Sequence, residues 1–233
     1  MPFDFKKEQK NFYLPKTQPE IVRIPPMQYL AVRGKGNPNE EGGCYQKAVS
    51  LLYAVSYTLK MSEKTGYRME GFFAYVVPPL EGFWWREETA GTGALAGNKD
   101  TFCWISVIRV PDFVQEKDLQ WAISEVKRKK GLDASHVELL SMEEGLCVQA
   151  MHVGSYDDEP ETVEKMNRFL AENGYVNDIT AERLHHEIYL SDPNRVEVSK
   201  RKTVLRHPVR KRIGDGLSGE DGMTGQVNEG AGD

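Results

Sequence analysis

Ser106-Val107-Ile108-Arg109-Val110-Pro111 and Thr203-Val204-Leu205-Arg206-His207-Pro208 are two copies of one strand: a small hydroxyl residue, aliphatic residues, an arginine and a closing proline. Two further blocks repeat in the same order around them. Tyr29-Leu30-Ala31-Val32-Arg33-Gly34 lies over Gln149-Ala150-Met151-His152-Val153-Gly154, and Phe73-Ala74-Tyr75-Val76-Val77-Pro78-Pro79 lies over Glu187-Ile188-Tyr189-Leu190-Ser191-Asp192-Pro193. Three blocks in one order mark an internal duplication.

The periodicities between the blocks supply the remaining elements. Residues 44–61 place Ala48, Leu52, Val55 and Leu59 at helical spacing, and a second helix carries Leu119, Ala122, Ile123 and Val126 up to Gly131. A third holds Val163, Met166 and Leu170, with Asp158 and Glu161 spaced as a capping box and Asn173-Gly174 as its exit. Strands are expected at 27–33, 71–77, 102–110, 146–153, 185–190 and 202–206. Each copy thus reads strand–helix–strand–strand. The fold class is α+β: duplicated βαββ units forming an antiparallel-rich sheet, with helices on one face and a concave ligand cleft on the other. The repeats span about 20–112 and 137–212, with a helical insertion at about 115–130. Residues 1–19 read as an irregular lead-in. Residues 213–233, rich in glycine and acid, cannot bury enough apolar surface to offset their ordering entropy and are expected to be disordered.

The composition narrows the function classes. A net charge of −5 argues against a nucleic-acid surface, and the run Lys200-Arg201-Lys202 with Arg206, Arg210, Lys211 and Arg212 reads as a solvated terminal strand. The three cysteines show no metal-type spacing, which fits a reducing compartment without disulfides. No run reaches the roughly 20 apolar residues that cross a bilayer, and no signal-peptide core is present, so a cytoplasmic location is expected. The sequence also lacks phosphate-binding glycine loops and nucleophile elbows, and it calls for no cofactor and no metal. It does not set the oligomeric state.

Strand alternation puts His185, Glu187, Tyr189 and Ser191 on one face, with His186, Ile188 and Leu190 on the other. The apolar set suits the helix-covered side, so Glu187 and Tyr189 are expected on the open face, with Phe73, Tyr75 and Val77 as their counterparts. Phe83-Trp84-Trp85, after the Pro78-Pro79 break, are costly aromatics for a loop and either plug the core or wall a pocket, with one of the two indoles expected to pack inward and the other to meet ligand. The candidate set is Glu187 as the catalytic acid–base group, with Tyr75, Glu81, Trp84, Trp85, Trp104 and Tyr189 as ligand contacts. For Glu81, a turn or surface role stays open beside that of a second acid. The other histidines read as isolated.

Leu184-His185-His186-Glu187-Ile188-Tyr189-Leu190-Ser191-Asp192-Pro193, Lys202 to Val209, Pro79 to Trp85, and Phe102-x-Trp104 through Pro111-Asp112-Phe113 together resemble the GyrI-like family of small-molecule-binding proteins. The resemblance runs from about residue 20 to 212 and is to the stand-alone, effector-binding branch. It implies a duplicated βαββ fold with a ligand cleft between the halves, and it places the family's drug-binding glutamate at Glu187. No helix-turn-helix pattern precedes residue 20, so direct contact with nucleic acid is not expected. Some stand-alone members are similar to cyclopropane hydrolases that detoxify DNA-alkylating natural products. Two functions therefore fit: hydrolysis of a strained, flat genotoxin, or sequestration of lipophilic compounds without chemistry.

Overall fold

A computed structural model describes residues 1–86 and 99–212; the tail expected to be disordered lies outside the described residues. The lead-in forms two single turns, α1 (Phe5–Glu8) and α2 (Lys10–Tyr13), rather than irregular chain. The first half then supplies β1 (Glu20–Ile24), β2 (Met27–Lys35), α3 (Cys44–Lys60), β3 (Leu80–Arg86) and β4 (Phe102–Arg109). After α4 (Glu116–Lys130), the second half supplies β5 (Glu138–Met142), β6 (Gly145–Val153), α5 (Glu159–Glu172), β7 (Tyr175–Asn177), β8 (His185–Tyr189) and β9 (Lys202–Lys211). Helix α4 starts at a capping box between Gln115 and Asp118 and stops at Gly131 in the left-handed region. The box expected at α5 is absent: the Asp158 side chain makes no cap, and a one-turn 3-10 helix capped by Ser155 leads in instead.

Among the described residues all strand pairs are antiparallel, in the order β1-β6-β9-β8-β3-β4-β2-β5, with β7 added beside β9. β3 and β8 meet at the centre and join the two halves. Two links then force the sheet to curl. Only Pro25 and Pro26 separate β1 from β2, although β1 pairs with β6 at one end of the order and β2 lies near the other end. A connection that short spans roughly 11 Å. Glu143 and Glu144 tie β5 to β6 in the same manner, so each half lends its leading strand to the other.

The duplication holds for two of its three blocks. Tyr29 lies opposite Arg109 and Gln149 lies opposite Arg206, so both alignments share one register. The third block is misplaced. Residues 71–79 form no ladder; Tyr75 alone makes a bridge, to Phe3. Gly71 turns the chain at a φ of 73°, and Phe73 packs edge-on against Phe3 and Phe113 instead of entering the sheet. The strand is Leu80–Arg86, so Pro78-Pro79 precede it, and the three aromatics sit on a strand rather than a loop. Leu80 opposes Ile108, and Glu187 opposes the matching Leu205, which makes Leu80 the counterpart of Glu187.

The side of the cleft also differs from expectation. Glu187 and Tyr189 oppose Gly82 and Leu80, and they share a face with Trp84, Trp104, Leu30 and Val32. Helix α3 packs Ala48, Leu52, Val55 and Leu59 onto that same face. The opposite, concave face is filled. The lead-in residues Phe5 and Tyr13 close over it together with Tyr75, Ile188 and Val204. Beneath them lies a buried ionic chain. Arg206 Nη1 donates to Glu144 at 2.8 Å, and His186 stands 3.0 Å from both Glu144 and Glu81. Tyr13 donates to Glu81, Arg206 also donates to the Phe12 carbonyl, and Arg109 donates to Gln9. Arg206 is 1% exposed, so it does not belong to a solvated basic run.

The two cations beside Glu144 hold its carboxyl down at about 2, against the cost of burial, while Glu144 and Glu81 raise His186 above the usual imidazole value. The stability contributed by Glu144 is therefore present above the ordinary carboxylate range and is lost as pH falls toward 2; that of His186 is present in acid and is lost as pH rises through its folded value. Glu144→Gln should cost about 3–5 kcal/mol at neutral pH, because Arg206 and His186 lose their counter-charge. It should also flatten the acid side of the stability profile. Urea denaturation at pH 3, 5 and 7 measures both; equal losses at all three values would contradict the assignment.

Candidate functional site

The cleft lies on the helix face, between α3 and α5, with the central strands β3 and β8 as its floor. Its volume is about 1630 Å³, an open groove with room for several fused rings. Helix α3 contributes one side. Tyr45, Val49, Tyr53 and Tyr57 recur every fourth residue, beside the apolar stripe that grips the sheet. The other side comes from the first turns of α5 and the chain before it, including Tyr156, Glu159, Pro160 and Val163.

On the floor, Trp84 meets Tyr45 at 5.3 Å and Phe102 at 6.0 Å between ring centroids. Gly82, which opposes Glu187, makes this arrangement possible: a Cβ there would lie 2.5 Å from Trp84 Nε1 and 3.3 Å from the Tyr189 hydroxyl. The indole instead donates to Tyr189 at 2.9 Å, and Tyr189 donates to Glu187 Oε2 at 2.6 Å. Gly34 serves the neighbouring indole: the Trp104 ring lies directly over it, where a Cβ would come within 2.2 Å.

The second oxygen of Glu187 is fixed from behind. His185 Nε2 is 2.9 Å from Oε1, and His185 Nδ1 is 2.6 Å from Nε2 of His207 on β9. Asn177 on β7 sets the direction of this chain. Its Oδ1 accepts from the Ile179 backbone at 3.0 Å, which turns Nδ2 toward His207 Nδ1 at 3.3 Å. His207 Nδ1 must then accept, so its proton sits on Nε2 and is donated to His185, whose own proton sits on Nε2 and is donated to Glu187. Burial, with His185 adding to it, lowers His207 well below the usual imidazole range, in keeping with a neutral ring. The carboxylate of Glu187 thus accepts one bond on each oxygen, and its side chain is held in one orientation.

A second carboxyl lines the same cleft, within electrostatic range of Glu187. Glu159 is 9% exposed, and its Oε1 is buried without a hydrogen-bond partner. Burial raises its pKa well above the carboxylate range; Glu187 and Asp157 raise it further, and Lys99 opposes them.

The expected site residues divide cleanly. Glu187, Trp84 and Tyr189 lie together in the cleft. Trp104 is buried behind Trp84, edge-on to Tyr45 at 5.2 Å, and supports the wall from beneath. Trp85 points to the concave face, near Phe83 and Ile105. Glu81 and Tyr75 are on that face as well: Glu81 beside His186 and Tyr13, Tyr75 among Phe5 and Ile188. The sequence reading missed Tyr45, Tyr53, Tyr57, Tyr156, Glu159 and the pair His185–His207. The fourfold tyrosine spacing in α3 and the position of His185 two residues before Glu187 were visible signals. The contact with His207 required knowledge of the β8–β9 register. Among the described residues no cluster of His, Cys, Asp and Glu suits a metal ion, and no helix is long and apolar enough to cross a membrane.

A family model for the GyrI-like small molecule binding domain matches residues 17–210. Among solved structures, an uncharacterized conserved protein from Listeria innocua is 49% identical with a TM-score of 0.83, covering 89% of this chain and 100% of that one. Two Listeria innocua structures described as hydrolases are each 47% identical, with TM-scores of 0.81 and 0.82, over 89% and 90% of this chain and 100% of theirs. A search of curated proteins found no match.

The hydrogen-bond direction is open to measurement. Nitrogen-detected NMR of the imidazoles should report both His185 and His207 as Nε2–H tautomers, with His207 still neutral at pH 5.5. Asn177→Asp, which places an acceptor opposite His207 Nδ1, should reverse the His207 tautomer. An unchanged spectrum in that variant would contradict the chain.

Proposed function

The chain belongs to the GyrI-like small-molecule binding domain family, and we propose that it holds a flat, lipophilic organic compound in the aromatic cleft and adds water to it at Glu187. The observation that carries this reading is an immobilised carboxylate on an aromatic floor, its two oxygens held by His185 and Tyr189. A binding site needs only the charge. An acid–base catalyst also needs the carboxylate aimed in one direction, and the His207–His185 pair behind it serves that need.

The substrate class follows from the walls. Tyr45, Tyr53, Trp84, Phe102 and Tyr156 offer ring faces and edges to a planar system, and the groove is wide enough for fused rings. An electrophile that is already strained makes modest demands on its catalyst, and a cyclopropane fused to a cyclohexadienone is such a group. Glu187 takes a proton from water as the water oxygen bonds to a cyclopropane carbon. The ring carbon–carbon bond breaks, and its electron pair moves through the dienone to the carbonyl oxygen. The relatives described as hydrolases support a reaction that uses water, without naming its substrate. A role in removing genotoxic compounds would follow from that substrate.

The test is incubation of wild type and Glu187→Gln with a spiro-fused cyclopropyl-cyclohexadienone, followed by product analysis. Wild type should yield the ring-opened alcohol over many turnovers. Glu187→Gln should bind the probe and lose about 100-fold or more of the rate. Stoichiometric binding without product by the wild type would identify a sequestering protein and sink the reaction. Tryptophan emission should change on saturation, and the change should be lost in Trp84→Leu but retained in Trp85→Leu.

A further inference from the structure

We propose that Glu159 is the proton donor of the cleft: its carboxylic acid hydrogen-bonds the carbonyl oxygen of the ligand and protonates it as water adds elsewhere on the molecule. This rests on the water-adding reading above and names the group that completes it.

Three donors on the floor are committed to protein partners. Trp84 Nε1–H goes to Tyr189, and both Tyr189 O–H and His185 Nε2–H go to Glu187. Of the cations that line the cleft, Lys99 pairs with Asp157 at 3.2 Å, Arg195 pairs with Asp192 at 3.2 Å, and Arg201 donates to the Val196 and Pro193 carbonyls. A ligand oxygen that gathers charge during the reaction needs a donor, and Glu159 is a cleft-lining group with a buried, uncommitted oxygen.

Its placement is built rather than incidental. Glu159 is the first residue of α5, followed by Pro160 in the first turn of the helix. His152 clamps that turn, with Nδ1 2.9 Å from Thr162 Oγ1 and Nε2 2.8 Å from the Ser155 carbonyl, and Ser155 Oγ accepts from the Asp157 backbone. The groups around the Glu159 carboxyl are Glu187 and Tyr189 from β8, Asp157 and Tyr156 from the turn before α5, and Lys99 from the turn before β4. Two acids outnumber one cation, and that cation is shared with Asp157. Burial and this balance favour the protonated acid, with Glu187 as the base. A protonated carboxyl beside a carboxylate forms an acid–base pair.

The step balances. Water gives a proton to Glu187 and its oxygen to the cyclopropane carbon. The broken carbon–carbon bond places an electron pair on the carbonyl oxygen, and Glu159 gives that oxygen its proton. The product is an alcohol and a phenol, one water heavier than the substrate. Glu187 then holds a proton and Glu159 a negative charge; return of the proton through solvent resets the pair with no net uptake.

Glu159→Gln tests the proposal, since glutamine copies the shape and the hydrogen-bonding capacity of the neutral acid and cannot release a proton. With the cyclopropyl-cyclohexadienone as probe, it should bind within about threefold of wild type, lose about 100-fold in kcat/KM, and lose the alkaline limb that wild type shows as Glu159 ionises. Infrared difference spectra of the ligand-free protein give a second readout. Wild type should show a carboxylic-acid carbonyl band at pH 7 that Glu159→Gln removes and Glu159→Asp shifts. Wild-type turnover combined with an unchanged rate and pH profile in Glu159→Gln would overturn the acid role alone. No turnover by wild type would sink the reaction itself and the acid role with it. Absence of the band in wild type would overturn the proposal whatever the kinetics.

Discussion

The pairing of β3 with β8, Leu80 to Trp84 against Tyr189 to His185, is the constraint on which both faces of the molecule depend. This register sets Gly82 opposite Glu187 and so leaves space for the Trp84 indole to reach Tyr189. It sets Phe83 opposite His186 and brings Glu81 to the same imidazole on the reverse side. A slip by one residue would exchange the faces, turning the ionic groups toward the cleft and the cleft carboxylate into the closed interior. The strands that β1 and β5 lend across the halves, and the lead-in packed over the concave face, oppose such a slip.

The two faces use carboxyl groups in opposite ways. In the interior, Glu144 is matched by Arg206 and His186, its charge is compensated, and its contribution is structural. In the cleft, Glu187 is oriented by hydrogen bonds, and Glu159 is left beside a second acid with incomplete compensation. Uncompensated burial is the costly arrangement of the two, and such costs gather where chemistry or binding uses them. The duplication makes the contrast sharper. Leu80 is the register counterpart of Glu187, so one half supplies the acid and the other supplies the aromatic floor beside it.

Much of the fold could be read from the chain, for reasons that differ by element. Helix α3 followed from its apolar spacing, and the β2/β6 and β4/β9 equivalences followed from short blocks ending in glycine and proline. The strand at 80–86 was hidden because the β-rich run at 71–77 gives the stronger local signal, yet it packs against the lead-in instead of entering the sheet. Alternation put Glu187 and Tyr189 on one face but could not say which face the helices cover. The apolar residues Ile188 and Leu190 suggested the wrong side, because the concave face is sealed by residues 1–16, whose packing no local pattern announces. Tyr75 enters the candidate set through the misaligned third block and Glu81 through its place beside the indoles, yet within β3 residue 81 alternates onto the face opposite Trp84. Glu159 carries no local signal that separates it from any other glutamate in a first helical turn.

The central claim is that ligand enters between α3 and α5 and comes to rest over Glu187. A crystal structure of the protein soaked with a planar polycyclic dienone tests it most directly. The account predicts ring density against Trp84 and Tyr45, with the electrophilic carbon facing Glu187 and the carbonyl oxygen facing Glu159. Density on the concave face among Tyr13, Glu81 and Arg206, or rings held at the cleft mouth away from both acids, would contradict it.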